Sequence, residues 1–210
     1  MPRKTKYSQE DVVRAAFELV REKGLSGLSA PAVAEKMGCS TMPIYSHFKN
    51  MQALEDEVVK KAWKLSMEYK SYTYTGDVWI DQGIGYVIFS KKEQNLFKCM
   101  LDSRNIELKY EMHLVNWQFM ADQLKGYDSF KELNEEQQER VRYARAMLTH
   151  GIATAARVAA NKILIEDDQL LAMFMTNVSK ALLAGFKEIP PITPKDRQRF
   201  KERKNRIPNY

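Results

Sequence analysis

Residues 29–48 read Ser-Ala-Pro-Ala-Val-Ala-Glu-Lys-Met-Gly-Cys-Ser-Thr-Met-Pro-Ile-Tyr-Ser-His-Phe. Ser29 is placed to accept backbone N–H groups as an N-cap, and Pro31 falls in the first turn, where a missing N–H costs nothing. Val33, Ala34 and Met37 then make one inward face at helical spacing. Gly38 breaks the helix. Ser40 is placed to cap a further helix from Thr41, with Pro43 again in the first turn and Ile44 and Phe48 inward. The stretch predicts helix, tight glycine turn, helix, an arrangement that can set a recognition helix in the major groove of DNA.

Upstream, a helix is expected over Ser8 to Lys23. Ser8 and Asp11 form the two ends of a capping box, and Val12, Val13, Ala16, Leu19 and Val20 give an apolar face widened by Phe17. Gly24 stands where a left-handed cap is cheapest. Downstream, a long helix is expected from Met51 to about Lys70, with Leu54, Val58, Ala62, Leu65 and Met67 or Tyr69 inward. Ser71 to Gly76 reads as a linker, and further helices are expected at about 78–92, 94–102, 104–125, 135–163 and 168–187. Gly126 to Asn134 reads as a loop, and Pro190, Pro191 and Pro194 end the folded part. Strand readings such as Tyr86 to Phe89 are short and lack hairpin turn signals.

Composition agrees with this. The 210 residues include only 9 Gly and 7 Pro, with 44% hydrophobic and 29% charged residues, as in a soluble, helix-rich protein. No apolar run approaches the roughly 18–20 residues of a bilayer span, and the basic N-terminus lacks the apolar stretch of a secretory signal. A cytoplasmic protein with no membrane partner is expected. Charge is uneven. Residues 1–50 carry eight Lys/Arg against five Asp/Glu, residues 195–210 seven against two, and the middle is slightly acidic. Basic ends suit a polyanion partner, although the tail also reads as a solvated terminus.

Residues 8–54 resemble the DNA-binding domain of tetracycline-repressor (TetR) family transcriptional regulators. The resemblance is carried by Ala15-Ala16-Phe17-Glu18-Leu19, Gly24, Leu28-Ser29, Val33-Ala34, Gly38, Ser40, Ile44-Tyr45, His47-Phe48-Lys49-Asn50 and Ala53-Leu54. It covers about the first quarter of the chain. Met51 departs from the lysine usual there, and Pro31 from a commoner polar residue. The resemblance implies an all-α fold: a three-helix helix-turn-helix domain at 1–50, then a larger helical effector-binding and dimerisation domain at 51–189. A basic, Pro-containing tail follows at 190–210. It also implies a repressor, released by a small-molecule effector from a palindromic operator in double-stranded DNA.

The residues permit a physical assignment beside the resemblance. Ser29, Ser40, Thr41, Met42, Pro43, Tyr45, Ser46, His47 and Lys49 form the expected DNA surface. Tyr45, His47 and Lys49 are assigned to phosphates, and Thr41, Met42 and Ser46 to bases, with Met42 and Pro43 suited to a thymine methyl. Tyr45 also reads as a half-buried aromatic that closes the three-helix core. The recognition helix has no Arg, Gln or Asn, so a modest base code supplemented by DNA shape is expected. Arg3, Lys4 and Lys6 can form a flexible arm into a neighbouring groove.

One such unit reads only a half-site, so a homodimer is expected. The last two long helices are its best interface. Small residues run through 151–156 and 158–160, and Leu170, Met173, Phe174, Val178, Leu182 and Phe186 make an apolar stripe. Tyr86, Phe89, Met100, His113, Trp117 and Met120, with Met112, are the candidate effector-pocket residues. His113, Asn116 and Trp117 stand out because polar groups among apolar neighbours need partners. Enzyme chemistry is not expected: three histidines, no phosphate loop and no nucleophile–base pairing leave it without machinery. No cofactor motif is present, and His113, His150 and Cys99 share no short-range metal spacing. The competing reading is a helical protein-interaction module, or an activator, with only nonspecific DNA affinity.

Overall fold

The computed structural model describes residues 7–155, 167–190 and 193–195, all of whose regular elements are helical. The helices are α1 (Gln9–Lys23), α2 (Ala30–Met37), α3 (Met42–His47), α4 (Met51–Ser71), α5 (Val78–Lys92), α6 (Gln94–Asp102), α7 (Ile106–Gln123), α8 (Glu135–Ala155) and α9 (Asp168–Glu188). The N-terminal arm, residues 158–160 and the tail beyond Lys195 lie outside the described residues.

Local chemistry sets the first three helices. The Ser8 hydroxyl accepts the Asp11 N–H at 3.1 Å while the Asp11 carboxylate accepts the Ser8 N–H at 3.0 Å, closing the capping box at the start of α1. Gly24 ends α1 with φ +76° and ψ 177°, a positive φ but an extended ψ, so the left-handed cap expected there is absent. Gly38 supplies that cap instead, ending α2 at φ +64°, ψ 39°. A second difference concerns α3. It starts at Met42, with Thr41 in the N-cap position in helical backbone and no side-chain cap, so Ser40 does not cap it. Pro43 in the first turn supplies a pre-set φ there.

Val12, Ala16, Phe17, Leu19 and Val20 of α1 bury against Val33, Ala34, Ile44 and Phe48, and Leu54 and Val58 of α4 continue the same core. No break separates this cluster from the second half. Helix α4 therefore runs from the three-helix module into the larger bundle, where it packs along α5. That approach is close. A Cβ on Gly85 of α5 would collide with the backbone carbonyl of Tyr69 and lie 2.8 Å from Lys70 Cα. Helix α5 is the central element, with Trp79, Ile80, Ile84, Val87, Ile88 and Phe89 buried and α4, α6, α8 and α9 around it. Beyond α7, the expected loop contains a short 3-10 turn, Asp128–Phe130, that seats Phe130 edge-on to Trp79.

The stripe expected on α9 is offset from its buried face. Leu171, Met175, Ser179 and Leu183 point into the core, Phe174, Val178, Leu182 and Phe186 are half-buried, and Leu170 and Met173 are exposed.

Candidate nucleic-acid interface and interior polar cluster

Helix α3 has two sides. Ile44 and Phe48 are 1% and 4% exposed and hold it on α1 and α2, while Met42 and Tyr45 on its other side are 76% and 56% exposed. Ser40, Ser46 and Lys49 are also exposed, and Thr41, Pro43 and His47 are half-buried. Eight of the nine expected DNA residues thus lie along the glycine turn and α3. Ser29 is exposed at the start of α2, where its hydroxyl accepts the Ala32 N–H at 3.4 Å.

Some of these side chains already have partners. The Ser46 hydroxyl donates to the Pro43 carbonyl at 2.7 Å, which leaves its oxygen as an acceptor. His47 Nε2 lies 2.9 Å from the Tyr7 carbonyl. A carbonyl only accepts, so Nε2 carries the proton, and the neutral ring offers only an acceptor at Nδ1. Lys49 makes no ion pair among the described residues, whereas Lys36 is tied to Glu22 at 2.8 Å.

The module is bolted to the bundle at the far end of α1. Arg21 donates to both oxygens of Glu93, Nε to Oε2 at 2.7 Å and Nη2 to Oε1 at 2.5 Å. The Glu93 pair raises the Arg21 pKa further. Tyr69 of α4 donates its hydroxyl to the same carboxylate at 3.3 Å. Asn95 donates to the Arg21 and Glu22 carbonyls that α1 leaves open at its C-terminus. Glu93 is 5% exposed, so α1, α4 and the α5–α6 junction meet at one buried carboxylate.

The bundle interior holds a second polar group that short-range reasoning did not find. Lys70 is 3% exposed. Its ammonium donates to Asn116 Oδ1 at 2.5 Å and stands 4.8 Å from the Tyr86 ring centroid. The Tyr86 hydroxyl lies 3.0 Å from His150 Nδ1. One and two turns back along α4, Ser66 Oγ and Trp63 Nε1 are buried without hydrogen-bond partners among the described residues. His113 is edge-on to Trp63 at 4.9 Å. Arg145 of α8 is also 3% exposed; it donates to the Trp79 carbonyl and to Gln82 Oε1 at 2.9 Å, and lies over the Trp79 ring. Burial, with Arg145 adding repulsion, lowers the Lys70 pKa to about 7, and burial lowers that of Arg145 to about 9. His113 is lowered by partial burial and by the Lys70 charge.

The six expected pocket residues do not form one lining. Tyr86 belongs to this cluster and His113 borders it from the outside. Phe89 and Met100, 0% and 2% exposed, are core. Met120 is buried where its carbonyl accepts from Gln82, and Trp117 lies half-buried beneath the Arg142 guanidinium. Asn116, singled out beside His113, finds its partner in Lys70. Cys99 is buried, which pushes its thiol up to about 12. Among the described residues no group of three or more His, Cys, Asp or Glu is placed to hold a metal ion, and no helix is long and apolar enough to cross a membrane.

Comparison with known proteins matches the first of these two regions. The profile of bacterial regulatory proteins, tetR family, matches residues 12–58, from α1 into α4. The class C tetracycline repressor protein of Escherichia coli is 38% identical over 55 residues, 26% of this chain and 25% of that protein. The class H tetracycline repressor protein of Photobacterium damsela subsp. piscicida is 32% identical over 74 residues, 35% of this chain and 34% of that one. These matches span a quarter to a third of the relatives' length. Solved structures extend the likeness to the whole fold at 18% identity. A protein of unknown function from Rhodococcus sp. RHA1 superposes with a TM-score of 0.60, over 88% of this chain and 98% of that one. A TetR variant from Acinetobacter baumannii AYE, in complex with minocycline, gives 0.53 over 87% and 98%. Residues 12–58 thus match the tetR family of bacterial regulatory proteins, and the chain as a whole shares the fold of these solved structures.

Proposed function

We propose that this protein is a sequence-specific transcriptional repressor that binds a palindromic operator as a homodimer and is released by a small-molecule effector. The observation that carries the reading is α3 itself. Met42 and Tyr45 stand large and exposed beside Ser40, Ser46 and Lys49, which has no ion pair among the described residues, on a helix whose other face is locked into a core. That surface suits a groove: Met42 for a thymine methyl, short hydroxyls for base edges, and Tyr45 and Lys49 for phosphates. His47 reaches a phosphate only when Nδ1 is protonated, because its Nε2 proton is committed to Tyr7.

Two features support the dimer. Tyr143, Met147 and Leu148 on α8 are exposed, as are Leu170 and Met173 on α9, and Gly151, Ala181 and Ala184 between them allow close approach. Two copies of this pair would close a four-helix bundle. The minocycline complex of a structurally similar TetR supports a small-molecule effector. Release then requires that the effector favour a conformation whose recognition helices no longer match the operator spacing.

In vitro selection from a random duplex library at physiological salt tests this. An enriched palindrome with half-site centres about ten base pairs apart, or a multiple of that, is expected. If nothing enriches and binding disappears steeply with salt, the contacts are nonspecific and the interaction-module reading takes its place.

A further inference from the structure

Among the described residues, Lys70 is a buried cation with no anion beside it. Two other charged groups buried nearby in sequence are satisfied: Asp81 accepts from Thr75 and Gly76, and Glu93 is paired with Arg21. Among the described residues Lys70 has one acceptor, the neutral Asn116 amide, for an ammonium with three N–H donors. Around it, Tyr86 presents a ring face, and the neighbouring polar groups are Asn116 and His113 on α7 and Arg145 and His150 on α8. None of these is negative. A desolvated ammonium is destabilising unless a counter-charge offsets it.

The donors nearest in register on α4 have the same deficit. Trp63 Nε1 and Ser66 Oγ are 3% and 0% exposed at the residue level and lack acceptors among the described residues. Positions 63, 66 and 70 fall on one face of the helix, so three acceptor-seeking groups share one side. The Tyr86 ring adjoins Lys70, and Phe97 is edge-on to both Tyr86 and Phe89. The exposed His113 stands edge-on to Trp63.

We propose that this cluster is the effector site and that its ligand is an organic acid, whose carboxylate pairs with Lys70 and accepts from Trp63 or Ser66 while its apolar body lies against the aromatic residues. Asn116 holds the ammonium in place. The Arg145 guanidinium is turned to the Trp79 carbonyl and Gln82 Oε1, so the Lys70 ammonium with its neutral donors matches a single negative charge, whereas a phosphate dianion calls for more cations. The inference rests on the reading of the protein as an effector-released regulator, and names the chemistry of that effector.

The test uses the full chain free of DNA, titrated calorimetrically with hexanoate through dodecanoate and with phenylacetate, each beside its primary amide. At least one acid is expected to bind about tenfold or more tightly than its amide. Lys70→Met and Lys70→Gln, checked for native helicity, should abolish that preference and leave amide binding unchanged. If no acid is preferred over its amide, or the preference survives both variants, the proposal is overturned. The two readings fail separately. An acid that binds through Lys70 but leaves the selected duplex bound contradicts release alone; a neutral compound that releases DNA, with no acid preferred, contradicts the acid alone.

Discussion

Up to Trp63, every buried side chain in the described residues is apolar or aromatic; from Ser66 onward the interior also takes in Lys70, Asp81, Gln82, Glu93, Asn116, Gln137 and Arg145. The contrast separates two tasks. The helix-turn-helix module holds its helices with an apolar core and local caps, and turns its reactive side chains outward. The bundle turns polar and charged groups inward, where each one needs a partner and an unpaired one is costly. Helix α4 belongs to both, beginning in the module's core and ending at Lys70.

The contrast can be broken or sharpened by substitution, starting at the α4–α5 contact. Gly85→Ala forces a Cβ into the Tyr69 carbonyl, and backbone on both sides has little freedom to yield. A loss of about 3 kcal/mol is expected by denaturant unfolding. An unchanged midpoint would mean that α5 does not sit so close to α4. Next is the junction. Arg21→Ala strands the Glu93 carboxylate with only Tyr69 as donor, for a loss of about 2 kcal/mol. Glu93→Gln, which removes the charge instead, should cost less.

Lys70→Met acts with the opposite sign. Removing the unpaired ammonium should stabilise the ligand-free protein by about 1 kcal/mol below neutral pH. The pH dependence follows from linkage. Folding lowers the Lys70 pKa from 10.5 to about 7, so between those values the unfolded chain binds the extra proton and wild-type stability gains as pH rises. The advantage of Lys70→Met is therefore largest below about pH 7 and shrinks above it. A variant less stable than wild type at every pH would show Lys70 to be a structural cation. The smallest effect is in the module: Ser29→Ala removes one long cap bond and should cost about 0.5 kcal/mol.

The same contrast governs what the sequence disclosed. The capping box at Ser8, the glycine at 38 and the inward spacing of Ile44 and Phe48 are short-range signals, and the helices they predict are present. The exposed side of α3 follows from that register. The bundle's helices were legible too, from apolar spacing and turn residues, but its interior chemistry was not. Lys70 reads as an ordinary charged residue at the end of a helix, and only the fold brings it to Asn116, 46 positions away, and to Tyr86. Arg145 and Gln82 meet across 63 positions in the same way. Asn116 carried the one usable signal, a polar residue among apolar neighbours. The shift of the α9 stripe has a related origin: that helix is apolar on more than one side, so spacing alone did not separate the core face from the outer one.

The most direct measurement titrates a selected duplex with the wild-type chain and with the Tyr45→Ala, Lys49→Ala double variant, at several salt concentrations. Two chains per duplex are expected for the wild type. The double variant should bind more weakly, with a shallower salt dependence because phosphate contacts are lost, at unchanged helicity. Equal affinity and equal salt dependence in the two proteins would contradict the account, because the exposed side of α3 would then not be the surface that meets DNA.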